Sequence, residues 1–272
     1  MVWPARPGII AGRGALTPAA GGGAYVGPLD TNPTNLFGWW GLRAASAAKC
    51  GTKAIRIVRA SDSAQTDINS LADGTLDVAT AATFMAATTA KVVTFYDQSG
   101  ALKSFGAALD LTQATDGSRA AFILNANGSL PAVRCSAITQ LYNNSSGTVQ
   151  SAVTTVYAAF KRTGDLTVFR AVLSQNGAGW QIGAGDANNK AHIYAGTFVT
   201  VTATDNAWHT LSAQLNGAST VASVDGSTST VSPGTQFTAP NYTINIGGFI
   251  GDFFEAGIWQ AAKTVANAPG AP

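Results

Sequence analysis

Charge is scarce in this 272-residue sequence, where only 11% of the residues are Asp, Glu, Lys or Arg. Soluble proteins average about 25% charged residues. The 16 basic and 14 acidic side chains leave a net charge of +2 and no dense basic stripe that could neutralise many phosphates. The composition therefore excludes a nucleic-acid-binding function and predicts a neutral surface rich in hydroxyl groups.

Long apolar runs are also missing. No segment approaches the roughly 18 consecutive apolar residues of a transmembrane helix, so the sequence predicts no membrane span. Prolines and glycines interrupt the N-terminal segment MVWPARPGIIAGRGALTP, which therefore lacks the continuous apolar region of a secretory signal.

Cysteine and histidine occur twice each. Cys50 and Cys135 are too few for a disulfide framework and lack metal-ligand spacing, so we expect two reduced, half-buried thiols. His192 and His209 stand apart, and a zinc site with three or four protein ligands has no support. We read both histidines as packed or rim residues of strands.

Proline and glycine divide the chain into two parts. Residues 1–35 contain five prolines and a Gly-Gly-Gly run, a composition that favours neither a helix nor a central strand. We predict an extended arm there and one folded domain over residues 36–272. A single β-sandwich of that length is common.

The pattern of the domain predicts an all-β sandwich or barrel. One short helix is expected between Leu76 and Ala90, with Asp77 as its cap. Asn216-Gly217 and Asp225-Gly226 have the composition of tight hairpin turns. Short β-prone runs alternate with turns over Ser151–Lys161, Leu166–Ser174, Gly179–Gly183, Ala191–Ala195, Ala207–Leu215, Ser219–Val224, Tyr242–Gly247 and Phe253–Gln260.

Two C-terminal segments carry a family resemblance. The stretch AWHTLSAQLNGASTVASVDGS (Ala207–Ser227) resembles the Trp-His strand, hairpin and Val-Asp-Gly strand end of laminin-G, pentraxin and related concanavalin-like domains. The closing GGFIGDFFEAGIWQAAKT (Gly247–Thr264) resembles the last core strand of the same superfamily. The resemblance implies a two-layer antiparallel jelly roll.

A second resemblance covers roughly residues 36–100. The stretch IRIVRASDSAQTDINSLADGTLDVATAATFM, followed by VVTFYDQSG, is similar to the N-terminal part of the catalytic domain of fungal-type α-L-arabinofuranosidases. It also resembles uncharacterised proteins of bacteriophages and prophages. Arg59 and Asp62 occupy the Arg-x-x-Asp-like element of that pattern.

The arabinofuranosidase resemblance implies a pair of carboxyl groups about 5 to 5.5 Å apart, one nucleophile and one acid/base. Glu255 is the only glutamate, and it lies in the predicted last core strand. The segment that should hold the mid-domain glutamate, AVLSQNGAGWQIGAGDANNKAHIYAG, offers only Asp186. We therefore expect a protein that is not an enzyme and releases no arabinose, and we expect the Glu255→Gln change to be silent.

A sugar-binding site is the remaining chemical candidate. Trp180 and Tyr194 flank a turn that contains Asp186 and Asn188, and these four residues are the candidate glycan ligands. Asp186, Asn188 and Asn189 are the candidate ligands for calcium, and no other cofactor is expected.

The other conspicuous side chains have structural interpretations. Asp97 follows an apolar strand, where an aspartate often accepts backbone N–H bonds in a turn. Four tryptophans are expected in the core: Trp39, Trp40, Trp208 and Trp259.

Together these features led us to predict a non-enzymatic bacteriophage virion protein of decoration, head-fibre or tail-associated type. In this hypothesis the protein is made in the host cytoplasm, forms a homo-oligomer and lies on the virion surface. The jelly roll displays a lectin-like face to a host-surface glycan, while the arm binds other virion proteins of the capsid or tail. The alternative is an arabinofuranosidase-like enzyme or a secreted glycan-binding module. The proposed arm anchors are Trp3, Arg6, Ile9, Ile10, Arg13, Leu16 and Tyr25.

Overall fold

The computed structural model describes residues 24–31, 33–100, 108–144, 154–164, 167–175, 179–235 and 243–263. Within these ranges helices are few: α1 (Pro28–Thr31), α2 (Val78–Met85) and three 3₁₀ turns at Ala47–Lys49, Asp116–Ser118 and Gly217–Ser219. The strands are β1 (Leu36–Gly41), β2 (Lys53–Arg59), β3 (Gln65–Asn69), β4 (Ala90–Phe95), β5 (Leu111–Thr112), β6 (Ala121–Asn127), β7 (Leu130–Cys135), β8 (Leu141–Asn144), β9 (Thr154–Arg162), β10 (Arg170–Gln175), β11 (Gln181–Ala184), β12 (Lys190–Tyr194), β13 (Phe198–Thr202), β14 (Trp208–Leu215), β15 (Thr220–Val224), β16 (Ser227–Val231), β17 (Ile244–Gly247) and β18 (Gly251–Trp259).

The strands form two layers, and every pairing that the described residues make is antiparallel. One layer has the order β1, β18, β9, β14, β15, β16. The other runs β3, β2, β4, β5, β8, β17, β10, β11, β12, β13. The β6–β7 hairpin pairs with β4 on one side and with β18 on the other. The predicted all-β jelly-roll-like class is confirmed.

Aromatic side chains fill the space between the layers. Phe95 of β4 meets Phe253 of β18 edge-on, with ring centroids 5.3 Å apart, and meets Tyr142 of β8 at 5.0 Å. All three side chains are buried. Burial of each contributes roughly 1.5–3 kcal/mol before ordering costs, so these contacts between layers are a main source of stability.

Helix α2 begins where the sequence predicts. The Asp77 carboxylate accepts a hydrogen bond from the Thr80 backbone N–H at 2.9 Å and caps the helix. Ala86 ends it in the left-handed conformation, with φ of 47°. The apolar residues Ala81 and Met85 face the core.

The two predicted tight turns differ. Asp225 and Gly226 both have positive φ, 51° and 84°, and form the expected tight turn between β15 and β16. Asn216 has φ of −150°, so only Gly217 is left-handed there. The chain passes from β14 to β15 through a 3₁₀ turn because the Thr220 hydroxyl satisfies the Asn216 N–H at 3.0 Å.

The described end of the predicted arm lies against the chain's own domain. Leu29 is buried, and its N–H donates to the Ala45 carbonyl at 2.8 Å. The Tyr25 hydroxyl donates to the Ala44 carbonyl at 2.6 Å, so this residue, predicted as a partner anchor, contacts its own domain instead. Pro28 opens helix α1 in a segment predicted to lack helix, because proline fits the first helical position.

Both cysteines are free thiols; Cys50 is half-buried and Cys135 is buried. Burial raises the pKa of the Cys135 thiol to about 12. Neither described helix has the length and hydropathy to cross a membrane. The other six proposed arm anchors lie outside the described residues: Trp3, Arg6, Ile9, Ile10, Arg13 and Leu16.

Candidate functional site

Asp186 projects from the turn between β11 and β12. Its side chain is exposed and makes no hydrogen bond or ion pair with any described residue. Every other carboxylate in the described residues accepts at least one hydrogen bond. Asp186 is therefore the one carboxylate in the described part of the chain whose oxygens accept no hydrogen bond from a described residue.

A buried arginine holds this turn in place. Arg162, at the end of β9, is only 4% exposed and donates 2.7 Å hydrogen bonds to the carbonyls of Gly185 and Ala187. These carbonyls lie on either side of Asp186. The guanidinium is positioned in turn by Asp205, whose carboxylate accepts from Nε at 2.8 Å. The backbone on both sides of the free carboxylate is therefore fixed.

Asp205 also stabilises the end of the same turn that contains Asn189. Its second carboxylate oxygen accepts the Asn189 N–H at 2.9 Å, and its own N–H donates to the Asn189 side-chain oxygen at 3.0 Å. Asn189 is left-handed, with φ of 57°. An asparagine tolerates that conformation better than most residues, which explains its place in the turn.

The structure separates the four predicted glycan ligands. Asp186 and Asn188 share the exposed turn, and Tyr194 lies half-exposed on β12. Trp180 is fully buried, so it packs in the core and offers no ring face to a sugar. Its assignment to a sugar site failed because strand alternation alone does not tell which face of β11 is covered.

Sequence reasoning missed an aromatic cluster beside this turn. The rings of Phe169 and Phe198 are parallel, with centroids 3.9 Å apart, and Tyr194 contacts Phe198 at 4.6 Å. His192 lies beneath them, fully buried. One signal was present in the sequence: Phe198 shares its strand face with Thr200 and Thr202 and alternates with the two valines of β13, which places an aromatic ring on the solvent face.

Glu255 has no free oxygen for catalysis. It is fully buried in β18, and Arg43 donates to both of its carboxylate oxygens, at 2.7 and 2.6 Å. The Tyr157 hydroxyl adds a third bond at 2.9 Å. Burial raises the Tyr157 pKa, and the negative charge of Glu255 raises it further. The predicted position of Glu255 in a core strand is confirmed, and its role there is structural.

Asp97 and His209 also have structural partners. Asp97 accepts the backbone N–H groups of Trp39 at 3.2 Å and Ser99 at 2.9 Å, as its interpretation as a turn residue requires. The two ring nitrogens of His209 lie 2.6 Å from an Asp225 carboxylate oxygen and 2.7 Å from the Thr204 carbonyl. Among the described residues no three His, Cys, Asp or Glu side chains come together as a metal site would require.

A comparison with protein-family models decides the family. The model for the catalytic domain of α-L-arabinofuranosidase B matches residues 42–225, more than half of the chain. The chain belongs to the α-L-arabinofuranosidase B catalytic-domain family. A comparison with curated proteins finds no match.

Solved structures agree with this family in fold. One is a mutant of a GH54 α-L-arabinofuranosidase soaked with 4-nitrophenyl α-L-arabinofuranoside, with a TM-score of 0.69 and 19% identity over 89% of this chain and 63% of that one. Another is an arabinofuranosidase complexed with arabinofuranosyl-α-1,2-xylobiose, with a TM-score of 0.66 and 18% identity over 91% of this chain and 66% of that one. The chain therefore spans slightly less than two thirds of the length of these proteins.

Membership in the arabinofuranosidase family corrects our leading functional prediction. The prediction of a virion structural protein that is not an enzyme was wrong, because the matching family model describes the catalytic domain of a glycosidase. The predicted virion-surface location and the predicted capsid or tail partners of the arm are wrong for the same reason. The prediction failed because it gave decisive weight to the missing glutamate in the segment that contains Asp186.

Proposed function

We propose that this protein is a glycoside hydrolase that cleaves α-L-arabinofuranosyl linkages, with Asp186 as the carboxylate that attacks the anomeric carbon. The family match and the shared fold support the substrate class. The observation that carries the proposal within this chain is the free, exposed carboxylate of Asp186 on a turn held by Arg162.

The state of the other carboxylates supports Asp186 for this role. A nucleophilic carboxylate must be ionised and must have an oxygen available to the sugar. Glu255 and Asp252 are fully buried and paired with arginines. An aspartate is one methylene shorter than the glutamate that the family resemblance implies, so the turn must hold Asp186 close to the sugar.

The chemistry follows the retaining route. The carboxylate forms an ester bond to the anomeric carbon while the glycosidic bond breaks, and the leaving oxygen of a sugar substrate takes a proton from solvent water. Water then hydrolyses the ester and returns the free carboxylate. A nitrophenolate leaving group departs without protonation, so 4-nitrophenyl α-L-arabinofuranoside reports on the nucleophile alone.

We expect the wild-type protein to release 4-nitrophenolate from this substrate, and Asp186→Asn to lower kcat by about a thousandfold or more. The amide keeps the shape of the side chain but is a far weaker nucleophile. Absorbance of the released nitrophenolate gives the rate. Asp186→Glu, which restores the longer carboxylate, is expected to keep measurable turnover.

Asp116→Asn is the matched control. Asp116 is also an exposed aspartate, and it pairs with Lys91 and Arg119 on the surface. It is expected to keep the wild-type rate. A wild-type protein that releases no nitrophenolate, or an Asp186→Asn variant as fast as the wild type, would overturn the proposal.

A further inference from the structure

The aromatic cluster lies on the outer face of the sheet, where the partly exposed Phe169, Tyr194 and Phe198 surround the fully buried His192. In β12 the Ile193 side chain points into the core, so the alternating His192 and Tyr194 side chains point to the opposite face. Phe198 lies opposite Tyr194 on β13 and is 40% exposed. Phe198 thus places an aromatic ring on the outer face of β13. The next residue on that face, Thr200, has a small polar side chain.

The two phenyl rings stack in parallel. Their planes differ by only 3° at a centroid separation of 3.9 Å. The half-buried Phe169 supports the more exposed Phe198 from one side. The stack forms a flat apolar platform at the surface.

His192 provides a second, independent observation. Its Nδ1 lies 2.6 Å from the Ala184 carbonyl, which can only accept, so Nδ1 carries the proton. Burial lowers the pKa of His192 to about 4, so the ring is neutral near pH 7. Nε2 is therefore an acceptor, and it is buried without a hydrogen-bond partner among the described residues. An unsatisfied acceptor below an aromatic platform suits a ligand that combines an apolar ring face with hydroxyl donors.

The cluster lies close to the reactive turn. Lys190, at the start of β12, accepts the Gly185 N–H through its carbonyl at 2.9 Å, and His192 follows two residues later. Two residues of a strand span about 7 Å and four span about 13 Å, so His192 lies about one sugar residue from Lys190, and Tyr194 with its cross-strand partner Phe198 lies about two.

We infer that Phe169, Tyr194, Phe198 and His192 form a sugar-binding subsite adjacent to Asp186. Phe198 stacks on the apolar face of a neutral sugar residue, with Phe169 supporting its ring and His192 buried beneath both. The inference rests on the proposed function, because the sugar bound there is part of the arabinofuranosyl-bearing oligosaccharide that Asp186 cleaves.

The test measures binding without turnover. Isothermal titration calorimetry with arabinofuranosyl-α-1,2-xylobiose uses the full chain carrying Asp186→Asn, which leaves the sugar intact. Adding Phe198→Ala is expected to weaken binding about five- to tenfold, the loss expected for one exposed aromatic contact. Adding Phe198→Tyr, which keeps a stacking ring, is expected to restore the affinity.

Phe84→Ala in the same background is the matched control. Phe84 is a half-buried phenylalanine on helix α2, where it contacts Arg59, and its removal is expected to leave the affinity unchanged. The subsite is refuted if Phe198→Ala binds as tightly as its parent or if the parent does not bind the sugar.

The two proposals can fail separately. Ring-dependent binding in a protein that never releases nitrophenolate would keep the subsite and reject catalysis by Asp186. If nitrophenolate release requires Asp186 but sugar binding does not depend on Phe198, catalysis by Asp186 is supported and the subsite is rejected.

Discussion

At the residue scale, the buried pair of Arg43 and Glu255 shows how one charge is accommodated in a layer of aromatic side chains. Glu255 sits opposite Gly41 of β1, where a larger residue would clash with the Glu255 side chain. The guanidinium forms two parallel hydrogen bonds to the carboxylate, the strongest geometry for such a pair. Burial is the largest single influence on the Arg43 pKa and lowers it, but the charge and hydrogen bonds of Glu255, together with Tyr157 and Tyr25, outweigh burial and raise that pKa.

Glu255→Gln is expected to lower the free energy of unfolding by about 2–4 kcal/mol, because it leaves the Arg43 charge without its partner. Arg43 keeps 28% of its side chain exposed, so we place the loss below that of a fully buried pair. Urea denaturation measures the change. Because Glu255 is buried and paired, we expect this substitution to be destabilising, and not silent as the sequence alone suggested.

The exposed pair of Arg59 and Asp62 is the control for that prediction. It has similar two-bond geometry, but both groups are solvated, so Asp62→Asn is expected to change the stability little. Equal losses for Glu255→Gln and Asp62→Asn would show that burial does not govern the cost.

At the element scale, the turn between β11 and β12 depends on contacts from two other segments. Arg162 comes from β9, and Asp205 precedes β14. Arg162 is almost fully buried, so its charge requires the Asp205 carboxylate. A short hairpin turn is thereby positioned by side chains distant in sequence.

Asp205→Ala is expected to loosen this turn. The Asn189 N–H loses its acceptor, so its amide hydrogen exchange should accelerate roughly tenfold or more. With the Arg162 charge left unpaired as well, we expect the free energy of unfolding to fall by about 3–5 kcal/mol. Exchange followed by NMR measures the first effect. Unchanged exchange at Asn189, with normal exchange elsewhere, would contradict the role assigned to Asp205.

At the scale of the whole molecule, stability should depend on pH through a buried histidine. Burial lowers the pKa of His192 to about 4 from an ordinary value of 6.5. Between these pH values His192 is protonated in the unfolded chain but neutral in the native protein. The contribution of His192 to the free energy of unfolding is therefore fully present above pH 6.5 and decreases as the pH drops toward 4.

His192→Asn should flatten this dependence, because it removes the titrating ring while an amide N–H can still donate to the Ala184 carbonyl. The wild type is expected to lose about 3 kcal/mol more than the variant between pH 6.5 and 4. Carboxylates titrate alike in both proteins and cancel in the difference. Parallel unfolding curves for the two proteins across this range would show that His192 is not the group responsible.

Local chemistry made much of the fold predictable. The spacing of turns located most strands of the C-terminal half to within a few residues, and Asp77 and the Asp225-Gly226 pair marked a helix start and a hairpin. These signals are short-range, because a cap or a tight turn involves only neighbouring residues. The sequence also determined that Glu255 belongs to a core strand, through the apolar alternation around it.

The tertiary structure alone decided which of these residues form a site. Trp180 and Tyr194 looked equivalent beside the same turn, but packing buries the first and leaves the second half-exposed. Phe169, just before β10, and Phe198, at the start of β13, are distant in sequence and stack only because the folded sheet brings them together. Arg162 reaches the Asp186 turn from β9 in the same way. Contacts between residues distant in sequence depend on the layering of the sheets, and no local pattern encodes them.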